Sequence, residues 1–344
     1  MSTIIPYTKL KDTGRKNLVD LIPLPKPFTL VIEPSSLCNF RCTQCFQSLG
    51  GTNYFTEHKQ NMNMDTFSLI IHQMKNWGGP KLKVVKLSLY GEPLMNRDFC
   101  EMVRVVKDAG ITERIETTSN VSLMGPDICE GIIRSGLDYI RVSIYSPLQD
   151  KHEAITGSSI NIDDIHQNLK TLQEIKAKLN FRTPFVSVKM LDTYSSENDL
   201  FMAMYSDVAD ELYLDKPHNW VGGGEKNFIK SLYKENTGTA QDDLNEHSKD
   251  CRACSLSFYI LSVRNNGDVS PCCNDWSGNT NVGNINETEL RKIWQGPPMR
   301  NFWKMQLSGE NFKNPSCKNC KIYKSSYYAK DNVDSFPLRD LKYP

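Results

Sequence analysis

Nine of the eleven cysteines fall in two tight groups, and this distribution constrains the chain more than any other feature. Cys38, Cys42 and Cys45 lie within eight residues near the N-terminus, while Cys251, Cys254, Cys272, Cys273, Cys317 and Cys320 lie in the last hundred. Clustered thiols in a small secreted domain read as disulfides. This chain has 344 residues, starts with no apolar signal segment, and has no apolar run near the ~20 residues of a membrane span. The expected compartment is therefore the cytoplasm, where grouped thiols bind metal or carry redox chemistry. With 41 basic and 40 acidic residues the formal charge is +1, which offers no electrostatic footprint for nucleic acid or an anionic membrane. Cys100 and Cys129 stand alone and read as small buried hydrophobes.

The first group is spaced Cys38-x3-Cys42-x2-Cys45. Three thiolates in a short loop can converge on one inorganic cluster and leave one iron of a cubane open to another ligand. A structural zinc site wants four closed ligands, and no His follows at finger spacing, so iron–sulfur fits best.

These residues resemble the signature of the radical S-adenosylmethionine (SAM) enzymes, in which three Cys hold a [4Fe–4S] cluster and exchangeable SAM chelates the fourth iron. The resemblance implies reductive cleavage of SAM to a 5′-deoxyadenosyl radical that abstracts a substrate hydrogen. Gln44 departs from the family, where an apolar or aromatic residue usually precedes the third Cys. Further along, Val84 to Tyr90 reads as a strand ending in Gly91-Glu92-Pro93, similar to the family's Gly-Gly-Glu-Pro motif with Tyr90 in place of the first Gly. That loop hydrogen-bonds the methionine ammonium in the family, which suits a carboxylate such as Glu92. Ser119 and Asn120 resemble the family's fourth-strand Thr-Asn-Gly element, and Ser143 its fifth-strand serine, so these residues with Gly91, Glu92 and Pro93 form the expected SAM site. The family often has Asp-Gly where this chain has Tyr145-Ser146.

The patterning supplies a scaffold. Phe28 to Glu33 reads as a strand running into the cysteine loop. Phe67, Ile70, Ile71 and Met74 mark one helix face, with Asp65 at its expected N-cap; Phe99, Met102, Val103 and Val106 mark another. Ile162, Ile165, Leu169, Leu172, Ile175 and Leu179 mark the longest, and Phe185 to Leu191 and Glu211 to Leu214 read as strands. About six strand–helix units between residues 28 and 216 argue an α/β fold with a parallel sheet. That count matches the partial (β/α)6 TIM-like barrel of the family, whose ligands gather at the C-terminal strand ends.

The later cysteines resemble the family's small C-terminal, cysteine-rich SPASM or twitch auxiliary-cluster domains. Cys254, twelve residues, then Gly267-x4-Cys272 fits their first half, and Asn265 to Asp268 reads as a hairpin turn. Cys317-x2-Cys320 follows, but Ser326 stands where the next Cys belongs. The resemblance implies one auxiliary [4Fe–4S] cluster held by Cys254, Cys272, Cys317 and Cys320, with Cys251 and Cys273 spare; a zinc ribbon on two Cys pairs is the alternative. The expected organisation is an N-terminal extension (1–27), the barrel (28–220), a linker or mobile loop (221–250), the auxiliary domain (251–325) and a tail (326–344).

A cluster closed by four Cys favours electron transfer over substrate binding. The expected reaction is thus oxidation of a small molecule such as a sugar or cyclitol, with the auxiliary cluster as electron acceptor and flavodoxin or ferredoxin as external reductant. Only some 27 residues precede the first strand, too few for a leader-binding domain, which favours a small molecule over a peptide. Peptide maturation is the alternative, and a non-enzymatic zinc or iron–sulfur protein the alternative of another class. Tyr145 and Lys189 are candidate bases, and the sequence names no catalytic residue beyond them.

Overall fold

The computed structural model describes residues 14–49, 53–215, 251–318, 320 and 329–341. The segment expected as a linker (221–250), Ser326 and parts of both termini lie outside the described residues. Among the described residues no helix is long and apolar enough to cross a membrane.

Six strands, β1 (Thr29–Ile32), β2 (Val84–Leu87), β3 (Ile115–Ser119), β4 (Tyr139–Ser143), β5 (Phe185–Leu191) and β6 (Glu211–Asp215), pair in parallel in chain order. Helices fill the connections, including Met64–Asn76, Phe99–Ala109, Pro126–Ser135, Gln149–Thr156, Ile162–Lys178 and Glu197–Tyr205. Parallel neighbours need such crossovers, so the strand order follows from the alternation of patterns in the sequence. Among the described residues the sheet does not close: β6 is one edge, and the architecture is the expected partial (β/α)6 barrel.

At the other edge the sheet continues into the cysteine-rich region. β7 (Ile260–Val263) pairs in parallel with β1, with Thr29 opposite Ile260 and Ile32 opposite Val263. β8 (Asp268–Ser270) and β9 (Gly283–Asn284) add antiparallel strands, giving nine in all among the described residues. The β7–β8 turn falls at the expected Asn265–Asp268, where Gly267 takes a positive φ of 89° and donates its N–H to the Arg264 carbonyl.

The helix faces read from the sequence are the buried ones. Phe67, Ile70, Ile71 and Met74 are buried in one helix, and Phe99, Met102, Val103 and Val106 in another. They pack on Leu30, Ile32, Val85, Leu87, Ile115, Ile140 and Val142, the outward face of the sheet. Asp65 is not the N-cap of the first of these helices. Asn63 is, its side chain accepting from Thr66 N, and Asp65 sits inside the first turn, where its charge suits the dipole. The opposite, inward face carries Lys86, Glu116, Arg141, Ser143 and Lys189, all only half-buried.

The C-terminal helices Leu290–Trp294 and Pro297–Leu307 join the same core. Trp294 and Trp303 meet edge to face at 5.0 Å, and their indole N–H groups donate to Leu24 and Ser257 carbonyls. A smaller but sharper tie is Asn265. Its buried side-chain amide donates to Ser36 Oγ (2.7 Å), His58 O (2.9 Å) and Gln60 O (2.8 Å), locking the β7–β8 turn to the segment after β1. Asn265→Ala strands these acceptors, so unfolding free energy should fall by about 1–3 kcal/mol, read as a lower melting temperature in anaerobic thermal denaturation.

Candidate cluster and cofactor site

Each candidate residue sits where a strand of the barrel ends. β1 runs into Glu33, and the loop beyond carries Cys38, Cys42 and Cys45. The loop is fixed by its backbone: Arg41 N and Thr43 N donate to the carbonyls of Thr156 and Ile155 (2.7 and 2.8 Å), and Cys45 N to Cys42 O (2.9 Å). The Arg41 guanidinium donates to the Cys38 and Phe40 carbonyls (2.6 and 2.8 Å).

The Gly91-Glu92-Pro93 loop after β2 is pressed against this segment. Glu92 N donates to Leu37 O at 2.8 Å, and a Cβ on Gly91 would fall inside van der Waals contact with the Ser35 and Leu37 carbonyl oxygens. Only glycine permits that approach. The Glu92 carboxylate is buried and accepts from Ser119 Oγ (2.6 Å), Asn120 N (2.8 Å) and Leu94 N (3.2 Å). It therefore clamps the loop to the end of β3 instead of presenting a free charge. Asn120 reaches on to Asn39 Oδ1 (3.0 Å), between Cys38 and Cys42, so cysteine loop, glycine loop and β3 end form one hydrogen-bonded ring. Val121, directly after Asn120, holds a φ of 52°, a strained conformation for a β-branched residue. Ser143 lies half-buried at the end of β4.

Burial pushes the Cys38 thiol up to about 11 and the Cys42 thiol to about 12, and raises Cys45. The three act on one another's charge, so isolated thiolates would repel in a poorly solvated loop. A cation-rich iron–sulfur cluster is the kind of group that holds such thiols ionised, and an all-thiol donor set suits it. Tyr145, half-buried, is hydrogen-bonded to Cys42, which ties this candidate base to the cysteine loop. Lys189, the other candidate base, is ion-paired to Asp215 at 2.7 Å.

The second set gathers across the sheet. Cys254, Cys272, Cys273, Cys317 and Cys320 line one cavity with Pro271, Phe302 and Gln306. Cys251 is buried outside that lining. Cys254 N donates to Gln306 Oε1 (3.1 Å), whose Nε2 reaches Cys317 Sγ (3.5 Å), and Asn274 N reaches Cys272 Sγ (3.3 Å). Asp275 braces the cavity by accepting from Thr280 N, Thr280 Oγ1 and Ser316 Oγ at 2.6–2.7 Å. Burial raises Cys254, Cys272 and Cys273 and lifts Cys317 to about 12. The four thiols expected as a set thus share one apolar space, which fits a cluster, and Cys273 joins them. Among the described residues no three His, Cys, Asp or Glu side chains converge on a single metal ion.

Between the two sets runs a buried aromatic and ionic wall that sequence reasoning missed. Phe46, next to Cys45, stacks on Trp276 (5.1 Å, 12° between planes) and meets Tyr90 edge to face. The Arg264 guanidinium lies over the Tyr54 and Tyr90 rings at 4.6 and 5.2 Å. Burial pushes the Glu33 carboxyl up to about 7, against the pull of the Asn265 N–H and the Arg264 charge. Charged residues inside strands buried on both faces were the available signal for the inward-facing set.

A family model described as the radical SAM superfamily matches residues 32–186, and one described as an iron–sulfur cluster-binding domain, SPASM, matches residues 245–321. The chain is 23% identical over 330 residues to a tungsten-containing aldehyde ferredoxin oxidoreductase cofactor-modifying protein of Pyrococcus furiosus, covering 88% of this chain and 89% of that one. It is 32% identical over 108 residues to an S-adenosyl-L-methionine-dependent 2-deoxy-scyllo-inosamine dehydrogenase of Niallia circulans, covering 30% and 43%. Among solved structures it resembles BtrN in complex with AdoMet and 2-DOIA (TM-score 0.53, 16% identity, 85% and 92% covered). It also resembles Streptococcus suis SuiB bound to the precursor peptide SuiA (0.57, 17%, 94% and 76%).

Gly91→Ala should displace the glycine loop from the cysteine loop, lowering iron bound at the first site and weakening SAM binding while iron at the second set stays. Gly125→Ala, whose Cβ would meet nothing within 4 Å, should leave both unchanged, as checked by iron analysis and equilibrium dialysis.

Proposed function

Since this chain belongs to the radical SAM superfamily and ends in a SPASM iron–sulfur domain, we propose that it oxidises a small polyhydroxylated molecule, such as a sugar or cyclitol, by removing a carbon-bound hydrogen. When bound, a [4Fe–4S] cluster with SAM supplies the hydrogen-abstracting radical, and an auxiliary cluster supplies an electron acceptor.

The observation that carries the reading is that both thiol sets flank paired strands of one sheet: Cys38, Cys42 and Cys45 follow β1, Cys254 precedes its neighbour β7, and Cys272 and Cys273 follow β8. Cys38, Cys42 and Cys45 hold the first cluster. Gly91 and Pro93 shape the wall beside it, while Asn120 and Ser143 offer an amide and a hydroxyl at neighbouring strand ends. Glu92 orients that wall through the Ser119 and Asn120 contacts rather than meeting the cofactor with a free charge. Cys254, Cys272, Cys317 and Cys320 hold the auxiliary cluster. The units that do this are the barrel over 28–220 and the auxiliary region over 251–325, with the tail beyond, and the reductant is a flavodoxin or ferredoxin of the cytoplasm. The oxidative reading draws support from the dehydrogenase relative and from the cavity that five cysteines line in the second site.

Protein reconstituted without oxygen should carry about eight irons per chain and form 5′-deoxyadenosine from SAM and dithionite. The triple variant Cys38→Ala, Cys42→Ala, Cys45→Ala should lose about four irons and all 5′-deoxyadenosine. Stoichiometric zinc with no iron would overturn the enzyme reading. About four irons with activity retained would remove the electron acceptor, and with it the oxidation.

A further inference from the structure

The inward face of the parallel sheet is furnished for a charged ligand. Lys86 on β2 lies opposite Glu116 on β3; Arg141 on β4 lies opposite Thr118 and Ser187; Lys189 on β5 lies opposite Ser143 and Tyr213. Val31 carries the same row across β1 to Ser262 on β7. The outward residues Leu30, Val85, Leu87, Ile140, Val142, Val186 and Val188 are wholly enclosed. Lys86, Thr118, Arg141, Ser143 and Lys189 keep partial exposure, so the inner space is lined with polar groups and open to a solute.

The charges on this face are unevenly matched. Glu116 is engaged with Arg114 at 3.0 Å, Asp215 with Lys189 at 2.7 Å, and Glu211 with the Ser187 hydroxyl at 2.7 Å, while Glu33, two residues beyond Val31, is buried with Oε1 unpartnered among the described residues. Lys86 Nζ has no hydrogen-bond or ion-pair partner among the described residues. Arg141 and Lys189 both act on its charge, against one opposing carboxylate, Glu116, and the thiol of Cys273. Ser88 Oγ, just beyond the end of β2, and Ser262 Oγ, across β1 on β7, are buried and also lack partners among the described residues. An ammonium with two cationic neighbours and unused hydroxyls nearby is stabilised by an anion.

We propose that the substrate of this enzyme carries an anionic group, a phosphate or a carboxylate, and that Lys86 with Arg141 receives it inside the barrel. The proposal rests on the radical SAM reading above only for the word substrate. Lys86 lies in the electrostatic range of Cys273, which lines the auxiliary cavity.

The test is anion binding by the full, anaerobically reconstituted chain, read by titration calorimetry without turnover. Inorganic pyrophosphate and citrate are the probes, one for each source of the charge, and myo-inositol is the neutral control. Saturable binding of either anion but not of myo-inositol is expected, and the tighter probe names the group. Lys86→Met should weaken it by about tenfold, Lys86→Arg should retain it, and the surface variant Lys107→Met should leave it unchanged. Equal binding by Lys86→Met and the parent, or no saturable binding of either anion, overturns the proposal. SAM binding and 5′-deoxyadenosine formation in the same samples report the radical SAM reading separately: loss of those with anion binding intact would overturn that reading alone.

Discussion

The structure depends on β1 being paired on both edges. On one side it takes β2, the next strand in the barrel; on the other it takes β7, from a segment more than two hundred residues later. Both pairings are parallel and four residues long, and both fix the same point in space, the end of β1 from which the cysteine loop departs. The two thiol sets are therefore placed relative to each other by backbone hydrogen bonds. The Asn265 side chain and the Phe46–Trp276 stack reinforce a geometry the sheet already dictates.

A similar economy holds around the first site. Glu92, expected beside the cofactor, and Tyr145, a candidate base, are each committed to a neighbouring residue. Glu92 spends its carboxylate on Ser119, Asn120 and Leu94, and Tyr145 is turned to Cys42. What remains to meet a ligand is backbone, amide and hydroxyl, positioned by a ring of short hydrogen bonds and by the close approach that Gly91 allows. Dipoles held rigidly in this way need no reorganisation to meet a polar ligand.

Much of this was legible in the sequence, and the limits are physical. Helix faces such as Phe67, Ile70, Ile71 and Met74 were readable because a two-sided environment imposes its period on the chain. The cysteine spacings and the Gly91-Glu92 loop were readable because ligation and close approach tolerate few residue types. The helix Gln149–Thr156 left no such trace: it buries only His152 and Thr156, yet its end carries the carbonyls that anchor Arg41 and Thr43. The pairing of β7 with β1 was also invisible, since a parallel pairing between remote segments marks neither strand locally. Asp65 misled because acidic residues suit both the cap and the first turn, and only the hydrogen bond to Asn63 tells them apart.

The open edge explains the character of the inner face. In a closed barrel, inward side chains from opposite walls meet and exclude water, which favours branched aliphatic residues. Among the described residues the sheet ends at β6 on one side and turns antiparallel beyond β7 on the other, so no further parallel strand of that set faces the inward rows. Lys86, Arg141 and Lys189 can then stand on strands that would otherwise demand apolar residues, each keeping some contact with solvent. Lys189 offsets its cost in desolvation by pairing with Asp215, whereas Lys86 has no such partner among the described residues. The open arrangement of the described strands thus goes with charge on their inward face, where Lys86 lies within the electrostatic range of Cys273.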